Sequence, residues 1–285
     1  MSVGFIGLGA MGEGMAKNLA RSGLLSGVFN RTTDKAKVLA EALRVTFYEQ
    51  IETLAADMDV IVMCVAADAD VIDVITVIQQ TVKPGTVVID SSTVSSDTAI
   101  KASQLLATKQ AKFLDAPVSG GVEGATNGTL AMMIGGDEAL IEQVRPVLEA
   151  MTARNIHIGQ TGSGQAAKAV NQVMCAGINQ AVTEALRFGE AQSLPMERVI
   201  DAVSGGAAGN WFLSHRGVSM LKREYPPGFK LKLHHKDLKI CQTMANNAHV
   251  HTPLVDKTIK EYDQLLASGH GDEDISVLYS VLNDD

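Results

Sequence analysis

Glycines at positions 7, 9 and 12 constrain the fold of this chain more than any other feature. They form a G-x-G-x-x-G directly after the apolar run Val3–Ile6, where a helical pattern over residues 11–22 begins. In that context Gly7 allows a tight turn, Gly9 lets a ligand approach the backbone, and Gly12 permits close packing of helix on strand. The spacing predicts a dinucleotide site with the pyrophosphate at the helix N-terminus, formed by Gly7, Leu8, Gly9, Ala10, Met11 and Gly12. The alternative is a glycine-rich turn that binds no ligand.

Short apolar runs alternate with helical patterns through the first half of the chain. Strands are predicted at residues 3–6, 27–29, 59–63 and 86–90, with helices at 11–22 and 34–43. Strands that are apolar without interruption are typical of a parallel sheet covered on both faces. After Gly164 the strand signals fade and an alanine-rich helical pattern follows. We therefore predict an α/β, doubly wound Rossmann-type dinucleotide-binding domain at residues 1–164 and an all-α domain at residues 165–285.

The residues after the second predicted strand bear on the choice of dinucleotide. An NAD site usually carries an acidic residue about 20 positions after the glycines, where it binds the ribose 2′-hydroxyl. This chain has Asn30, Arg31 and Thr32 there. A neutral Asn does not repel a 2′-phosphate, and an Arg can pair with one or stack on adenine. The three residues predict a cofactor site that prefers NADP over NAD, although Arg31 at a turn could instead be a solvated surface residue.

Composition narrows the classes of partner. The net charge of −8 disfavours binding to nucleic acid or to an anionic membrane. Three widely separated cysteines are typical of reduced thiols, and the longest uncharged apolar run is too short to cross a bilayer. Seven histidines are present without a His-Glu-x-x-His or Cys-x-x-Cys spacing, so no metal is expected. We expect a cytoplasmic protein whose partner is a small molecule.

Four motifs in order along the chain extend these predictions. They are F-I-G-L-G-A-M-G at residues 5–12, D-A-P-V-S-G-G at 115–121, G-S-G-Q-A-A-K-A-V-N-Q at 162–172 and K-D-L at 236–238. Together they resemble the β-hydroxyacid dehydrogenase family, which includes 3-hydroxyisobutyrate dehydrogenase and tartronate semialdehyde reductase. The resemblance implies an enzyme that transfers a hydride between NAD(P) and a small 3-hydroxy acid or its semialdehyde. The substrate is therefore expected to be a small-molecule carboxylate. It also implies that the helical domain takes part in substrate binding and in forming a homodimer or homotetramer.

The third motif contains the candidate catalytic residue. On a helix Lys168, Asn171 and Gln172 project from nearly one face, and Ala167, Val170 and Met174 are expected to pack the helix in place. A partly buried lysine has its charge disfavoured by desolvation, which suits proton transfer near neutral pH, whereas an isolated helical lysine is normally solvated. The resemblance implies that Lys168 is the acid/base and that the substrate-binding residues are Ser119, Gly120, Gly121, Asn171 and Gln172.

Other positions follow from the resemblance. Cys64 and Val65 match family positions near the cofactor, with contacts expected through the backbone, and Thr93, Phe229 and Lys236 also match cofactor-binding positions. Two alternatives stay open at this point. The chain could be an imine reductase-like enzyme, in which the lysine is replaced, or a nucleotide-binding protein without activity.

Overall fold

The computed structural model describes residues 1–281, which divide into two compact units. The first unit is Met1–Lys168 and the second begins at Ala169. All nine strands of the described chain lie in the first unit. The predicted domain limits of 1–164 and 165–285 stay a prediction, since the structural division falls inside one long helix.

The first unit is built on one twisted sheet with the strand order β3-β2-β1-β4-β5-β6-β8-β7, and β9 pairs with β8. Its strands are β1 Val3–Ile6, β2 Leu25–Phe29, β3 Thr46–Phe47, β4 Val60–Met63, β5 Val87–Asp90, β6 Lys112–Asp115, β7 Val118–Ser119, β8 Leu130–Gly135 and β9 Thr152–Gly159. Strands β1 to β6 pair in parallel, while β8 is antiparallel to β6 and β7. The strand order reverses between β1 and β4, and ligands of doubly wound sheets bind at such a switch point. The predicted α/β fold class is confirmed.

Helices cover both faces of this sheet. In the first unit they are α1 Ala10–Arg21, α2 Thr33–Leu43, α3 Ile51–Asp57, α4 Asp68–Thr81, α5 Ser96–Ala107, α6 Gly121–Asn127 and α7 Glu138–Met151. Phe5 and Val62 pack into one hydrophobic core, and their neighbours Ile6 and Ile61 pack into the core on the opposite face. Strands β1 and β4 are buried at every position and carry no polar side chain, as expected for strands covered on both faces.

The second unit is helical over its described length. Helix α8 Ser163–Ala191 begins in the first unit and continues into the second, followed by α9 Met196–Ser204, α10 Trp211–Leu221, α11 Leu231–Asn247, α12 Pro253–Ala267 and α13 Leu278–Val281. Tyr262 and Tyr279 are fully buried in its own core. The described residues after 200 form no second sheet, only an isolated bridge between Lys230 and Asp274. Among residues 1–281 no helix has the length and apolar character needed to span a membrane.

One expectation about α8 is wrong. Val170 and Met174, expected to pack the helix in place, are each 61% exposed. The buried side of α8 instead carries polar residues such as Gln172 and Asn179. The buried side of α8 thus combines hydrogen-bonded amides with aliphatic residues such as Val182 and Leu186, while Val170 and Met174 lie on an exposed surface of the second unit.

Two carboxyl groups are buried at the ends of adjacent strands. Asp90 and Asp115 are paired in register at the ends of β5 and β6, and neither is exposed to solvent. Burial raises the pKa of Asp90 to about 6, with a smaller upward contribution from Asp115, against hydrogen bonds from Ser92 that lower it. Among the described residues Asp90 Oδ2 has no hydrogen-bond partner. Burial also raises the pKa of Asp115. An ionised Asp90 therefore costs folding free energy at neutral pH.

The raised pKa of Asp90 predicts a pH dependence of stability. A carboxyl whose pKa rises from 3.8 to about 6 on folding stabilises the fold at low pH, and that stabilisation, about 3 kcal/mol, is lost as the pH rises from about 4 through about 6. Asp90→Asn removes this titration while keeping an acceptor for the Ser92 N–H. Denaturant unfolding at pH 4 and pH 7 measures the free energy of unfolding of both proteins. The difference between variant and parent should shift in favour of the variant by about 3 kcal/mol from pH 4 to pH 7. A difference between the two proteins that stays constant with pH would contradict the prediction.

Candidate active site

The glycine loop between β1 and α1 is held by close backbone contacts. Gly7 has a φ of +93°, and its N–H donates to the Phe29 carbonyl oxygen at 3.0 Å. A Cβ added to Gly7 would collide with the Cys64 carbonyl oxygen, and one added to Gly12 would collide with the Gly7 carbonyl oxygen. Side chains at either position are therefore excluded by the protein's own backbone.

Gly9 differs from its two neighbours in the motif because the protein leaves it room. A Cβ built on Gly9 would meet no protein atom within 4 Å. Gly9 is also the N-cap of α1 and supplies no side-chain cap. A helix leaves the N–H groups of its first turn, here beginning at Ala10 and Met11, without intrahelical partners, and the positive end of the helix dipole lies at the same terminus. This arrangement fits a dinucleotide pyrophosphate.

Asn30 has a role that the sequence did not indicate. Its Oδ1 accepts a hydrogen bond from the Leu8 N–H at 2.9 Å, and its Nδ2 donates to the Thr32 carbonyl oxygen at 3.1 Å. The side chain thus ties the glycine loop to the segment that follows β2. No periodicity or motif marks this pairing, because the two residues are 22 positions apart.

Arg31 is the exposed cation at this edge. Its side chain is 89% exposed, and its Nη1 lies 3.3 Å from the Asp70 Oδ1 in the first turn of α4. Such a surface pair contributes little to stability, so the guanidinium can exchange Asp70 for another anion at small cost.

Cys64 and Val65 follow β4, and their backbone N–H groups are already engaged. The Cys64 N–H donates to the Ile6 carbonyl oxygen at 2.9 Å, and the Val65 N–H donates to the Ser92 Oγ at 2.8 Å. Backbone contacts from this pair to a ligand would therefore have to come from the carbonyl groups. Thr93 lies in the neighbouring loop after β5, next to Ser92.

Ser119 ends β7, and two glycines with positive φ follow it. Gly120 has a φ of +131° and Gly121 a φ of +64°. Ser119 is half-buried and both glycines are exposed. The loop therefore presents a hydroxyl group and backbone N–H groups without side chains above them.

Lys168 lies in the second turn of α8 and is only 7% exposed. Asp115 accepts hydrogen bonds from the backbone just before and at the start of this helix, while Gln165 bonds to the loop after β5. Asp115 and Gln165 belong to the motifs quoted above, but their spacing gave no sign that they contact each other.

In the second unit, a chain of polar contacts joins four residues. Asn171 Nδ2 donates to the Gln172 Oε1 at 2.9 Å, and Gln172 Nε2 donates to the Asp237 Oδ2 at 2.6 Å. Lys236 Nζ lies 3.0 Å from the Asp237 Oδ1. Asp237, which had no predicted role, thus links the two helices that carry Asn171 and Lys236. Phe229 packs with its ring centre 5.2 Å from that of the buried His234.

Within each unit, the candidate site residues lie on a small number of neighbouring segments. Those of the first unit follow the carboxyl ends of the sheet strands or lie early in α8, and those of the second unit are on α8, on α11 or just before α11. Residues 1–281 contain no group of three or more His, Cys, Asp or Glu side chains able to hold a metal ion.

Comparison with known proteins identifies the family of this chain. Residues 2–159 match the family described as the NAD binding domain of 6-phosphogluconate dehydrogenase, and residues 162–282 match the NAD-binding domain of NADP-dependent 3-hydroxyisobutyrate dehydrogenase. The mitochondrial 3-hydroxyisobutyrate dehydrogenase of Drosophila melanogaster is 34% identical over 99% of this chain and 89% of its own length. The 2-hydroxy-3-oxopropionate reductase of Escherichia coli is 33% identical over 99% of this chain and 97% of its own. A structure of Mycobacterium tuberculosis 3-hydroxyisobutyrate dehydrogenase with L-serine superposes with a TM-score of 0.91 at 32% identity, covering 99% of both chains.

Proposed function

Because the chain belongs to the 3-hydroxyisobutyrate dehydrogenase family of NAD(P)-dependent hydroxyacid oxidoreductases, we propose that it interconverts a small 3-hydroxy acid and its semialdehyde by lysine acid–base catalysis. The observation that carries this proposal is Lys168, a lysine that is 7% exposed near the start of α8. Lysine side chains are rarely buried to this extent, because it is costly to remove the ammonium charge from water.

The resemblance to the family's motifs and the loop geometry suggest a division of roles. A bound nicotinamide supplies the acceptor or donor of the hydride. Lys168 Nζ takes the proton from the C3 hydroxyl oxygen during oxidation and returns it to the carbonyl oxygen during reduction. The Asn171 amide orients that oxygen, with Gln172 holding Asn171 in place. The Ser119 hydroxyl and the N–H groups of Gly120 and Gly121 bind the substrate carboxylate.

The names of the relatives support a substrate with a carboxylate and an oxygen at C3. The Escherichia coli relative is a reductase of 2-hydroxy-3-oxopropionate, and the Mycobacterium tuberculosis structure contains L-serine, which has a C3 hydroxyl. We propose the same class for this chain, and steady-state kinetics over a panel of such acids and semialdehydes tests it.

Replacing Lys168 tests the mechanism. Lys168→Ala should lower kcat by roughly 10²- to 10⁴-fold, because the reaction loses its acid–base group, while the Kd for the dinucleotide stays nearly unchanged. Lys168→Arg should not restore activity, since a guanidinium stays protonated near neutral pH. The measurements are turnover across the pH range and cofactor binding by fluorescence titration, with circular dichroism to confirm the fold. Turnover of Lys168→Ala within a few-fold of the parent would refute the mechanism.

We propose further that NADP is preferred over NAD. The support is the exposed Arg31 guanidinium beside Asn30, a residue that carries no charge to repel a 2′-phosphate. Asn30 Oδ1 is also occupied by the Leu8 N–H, so it is poorly placed to serve as the acceptor for a ribose 2′-hydroxyl.

Two substitutions test the cofactor preference. Arg31→Ala should raise the KM for NADP at least about tenfold and the KM for NAD only slightly, since a charge-assisted contact to phosphate is lost. Asp70→Asn removes the carboxylate that pairs with Arg31 and should lower the KM for NADP without changing that for NAD. Equal effects of Arg31→Ala on both cofactors would mean that Arg31 does not contact the 2′-phosphate.

A homodimer or homotetramer is also proposed. The support in this structure is the apolar surface of the second unit, where Val170 and Met174 are 61% exposed and Val250 is 56% exposed. Contiguous exposed apolar surface of this kind is favourably buried between subunits. Light scattering at micromolar concentration should show an oligomer, and Met174→Glu should lower its mass. A monomeric parent protein would contradict the proposal.

A further inference from the structure

We propose that Asp115 and Gln165 are positioning residues that hold the first turn of α8, and thereby Lys168, against the carboxyl ends of β5 and β6. The proposal rests on the acid–base role of Lys168 given above. All of the contacts that carry it lie within the first unit.

Asp115 anchors the start of α8 with both of its carboxyl oxygens. Its Oδ1 accepts from the Gly162 N–H at 2.7 Å, and its Oδ2 accepts from the Gln165 N–H at 2.9 Å. These are N–H groups that the helix itself leaves unpaired. Asp115 ends β6 and is not exposed. A strand of the central sheet therefore fixes the helix start directly.

Gln165 holds the same turn from a second direction. Its Nε2 donates to the Ser92 carbonyl oxygen at 2.8 Å, and its Oε1 accepts from the Val94 N–H at 3.2 Å. Both partners belong to the loop between β5 and α5. The side chain is 1% exposed, so its amide would be costly to leave unpaired.

The backbone of this turn also packs closely against β6 and β8. A Cβ added to Gly164 would collide with the carbonyl oxygens of Asp115 and Met133, and one added to Gly135 would collide with the Asp115 carboxyl. The Ser96 Oγ donates to the Gly162 carbonyl oxygen at 2.8 Å, a fifth hydrogen bond to this segment. The helix start is thus fixed from several directions.

Lys168 follows Gln165 by three residues, which is less than one turn. A shift of the first turn would therefore move the Lys168 Nζ by a similar distance. Displacement of a reacting group by about 1 Å can lower the rate by about 10²-fold. In contrast, the exposed Asp137 caps α7 through the Ala139 N–H at 3.0 Å, and α7 carries no proposed site residue. Asp137 offers a matched control.

A double-mutant cycle tests the proposal in the full-length protein. Asp115→Asn replaces one carboxyl oxygen by a donor, so at least one helix N–H loses its acceptor. We expect kcat to fall roughly 10- to 100-fold in the parent background. In the Lys168→Ala background the same change should alter the residual turnover by less than about twofold, since it acts through Lys168. Gln165→Met should show the same dependence on background, and the Kd for NADP should stay within about twofold throughout.

Asp137→Asn should leave kcat unchanged although it removes a helix cap of the same chemistry. Equal losses from Asp115→Asn in the two backgrounds would overturn the proposal, because the effect would then reach the reaction by another route, such as the loop at Ser119 four residues downstream. A rise in the substrate KM with unchanged kcat would also overturn it.

Amide hydrogen exchange separates this proposal from the proposed function. Asp115→Asn should speed exchange at residues 165–168 in the protein without ligand, and Asp137→Asn should not. If Lys168→Ala retains turnover, the proposed mechanism fails, yet faster exchange in Asp115→Asn would still show that Asp115 holds the first turn of α8. Unchanged exchange at these amides in Asp115→Asn would overturn the positioning role whatever the kinetics show.

Discussion

Two hydrogen bonds join the buried Asp115 carboxyl of the central sheet to the start of α8, the helix that carries the proposed catalytic lysine. A carboxyl group in this position is costly, as its raised pKa shows. Hydrogen bonds are directional and apolar contacts are not, so two bonds to one carboxyl define the position of the helix start more closely than aliphatic packing would. The carboxyl defines a position through directional bonds, and every proposed role of Lys168 depends on that position.

Close backbone packing of the kind seen at the start of α8 also occurs at the start of α1, the helix that follows the glycine motif. At α1, as at α8, a glycine carries the helix backbone against a strand or loop, so that added side chains at Gly12 or Gly164 would strike carbonyl oxygens. The two helix starts differ in what covers their N–H groups. Asp115 caps α8 from within the protein, whereas α1 has no side-chain cap at Gly9 and open space beside it. The start of α8 is thus occupied by a group of the protein, whereas the start of α1 has room for an anionic ligand.

Much of the fold was predictable because its signals are local. Uninterrupted apolar runs predicted β1, β4 and β5, and the glycine spacing predicted the turn into α1. The exposure of Val170 and Met174 was not predictable, since helical periodicity shows that residues share a face but not whether that face is buried. Likewise, motif matches marked Cys64 and Val65, while only the packed structure revealed that their N–H groups are already bonded to Ile6 and Ser92.

The sequence by itself determined the family, the class of chemistry and the identity of the candidate lysine, because these depend on residue types at fixed short spacings. The tertiary structure alone decided which side chains hold the site together. Asn30 bonds to Leu8, Gln165 to Ser92, and Gln172 to Asp237, across 22, 73 and 65 positions of the chain. Such pairs have no local signature, because a hydrogen bond requires its two atoms to meet within about 3 Å at a suitable angle, and only folding brings distant segments that close.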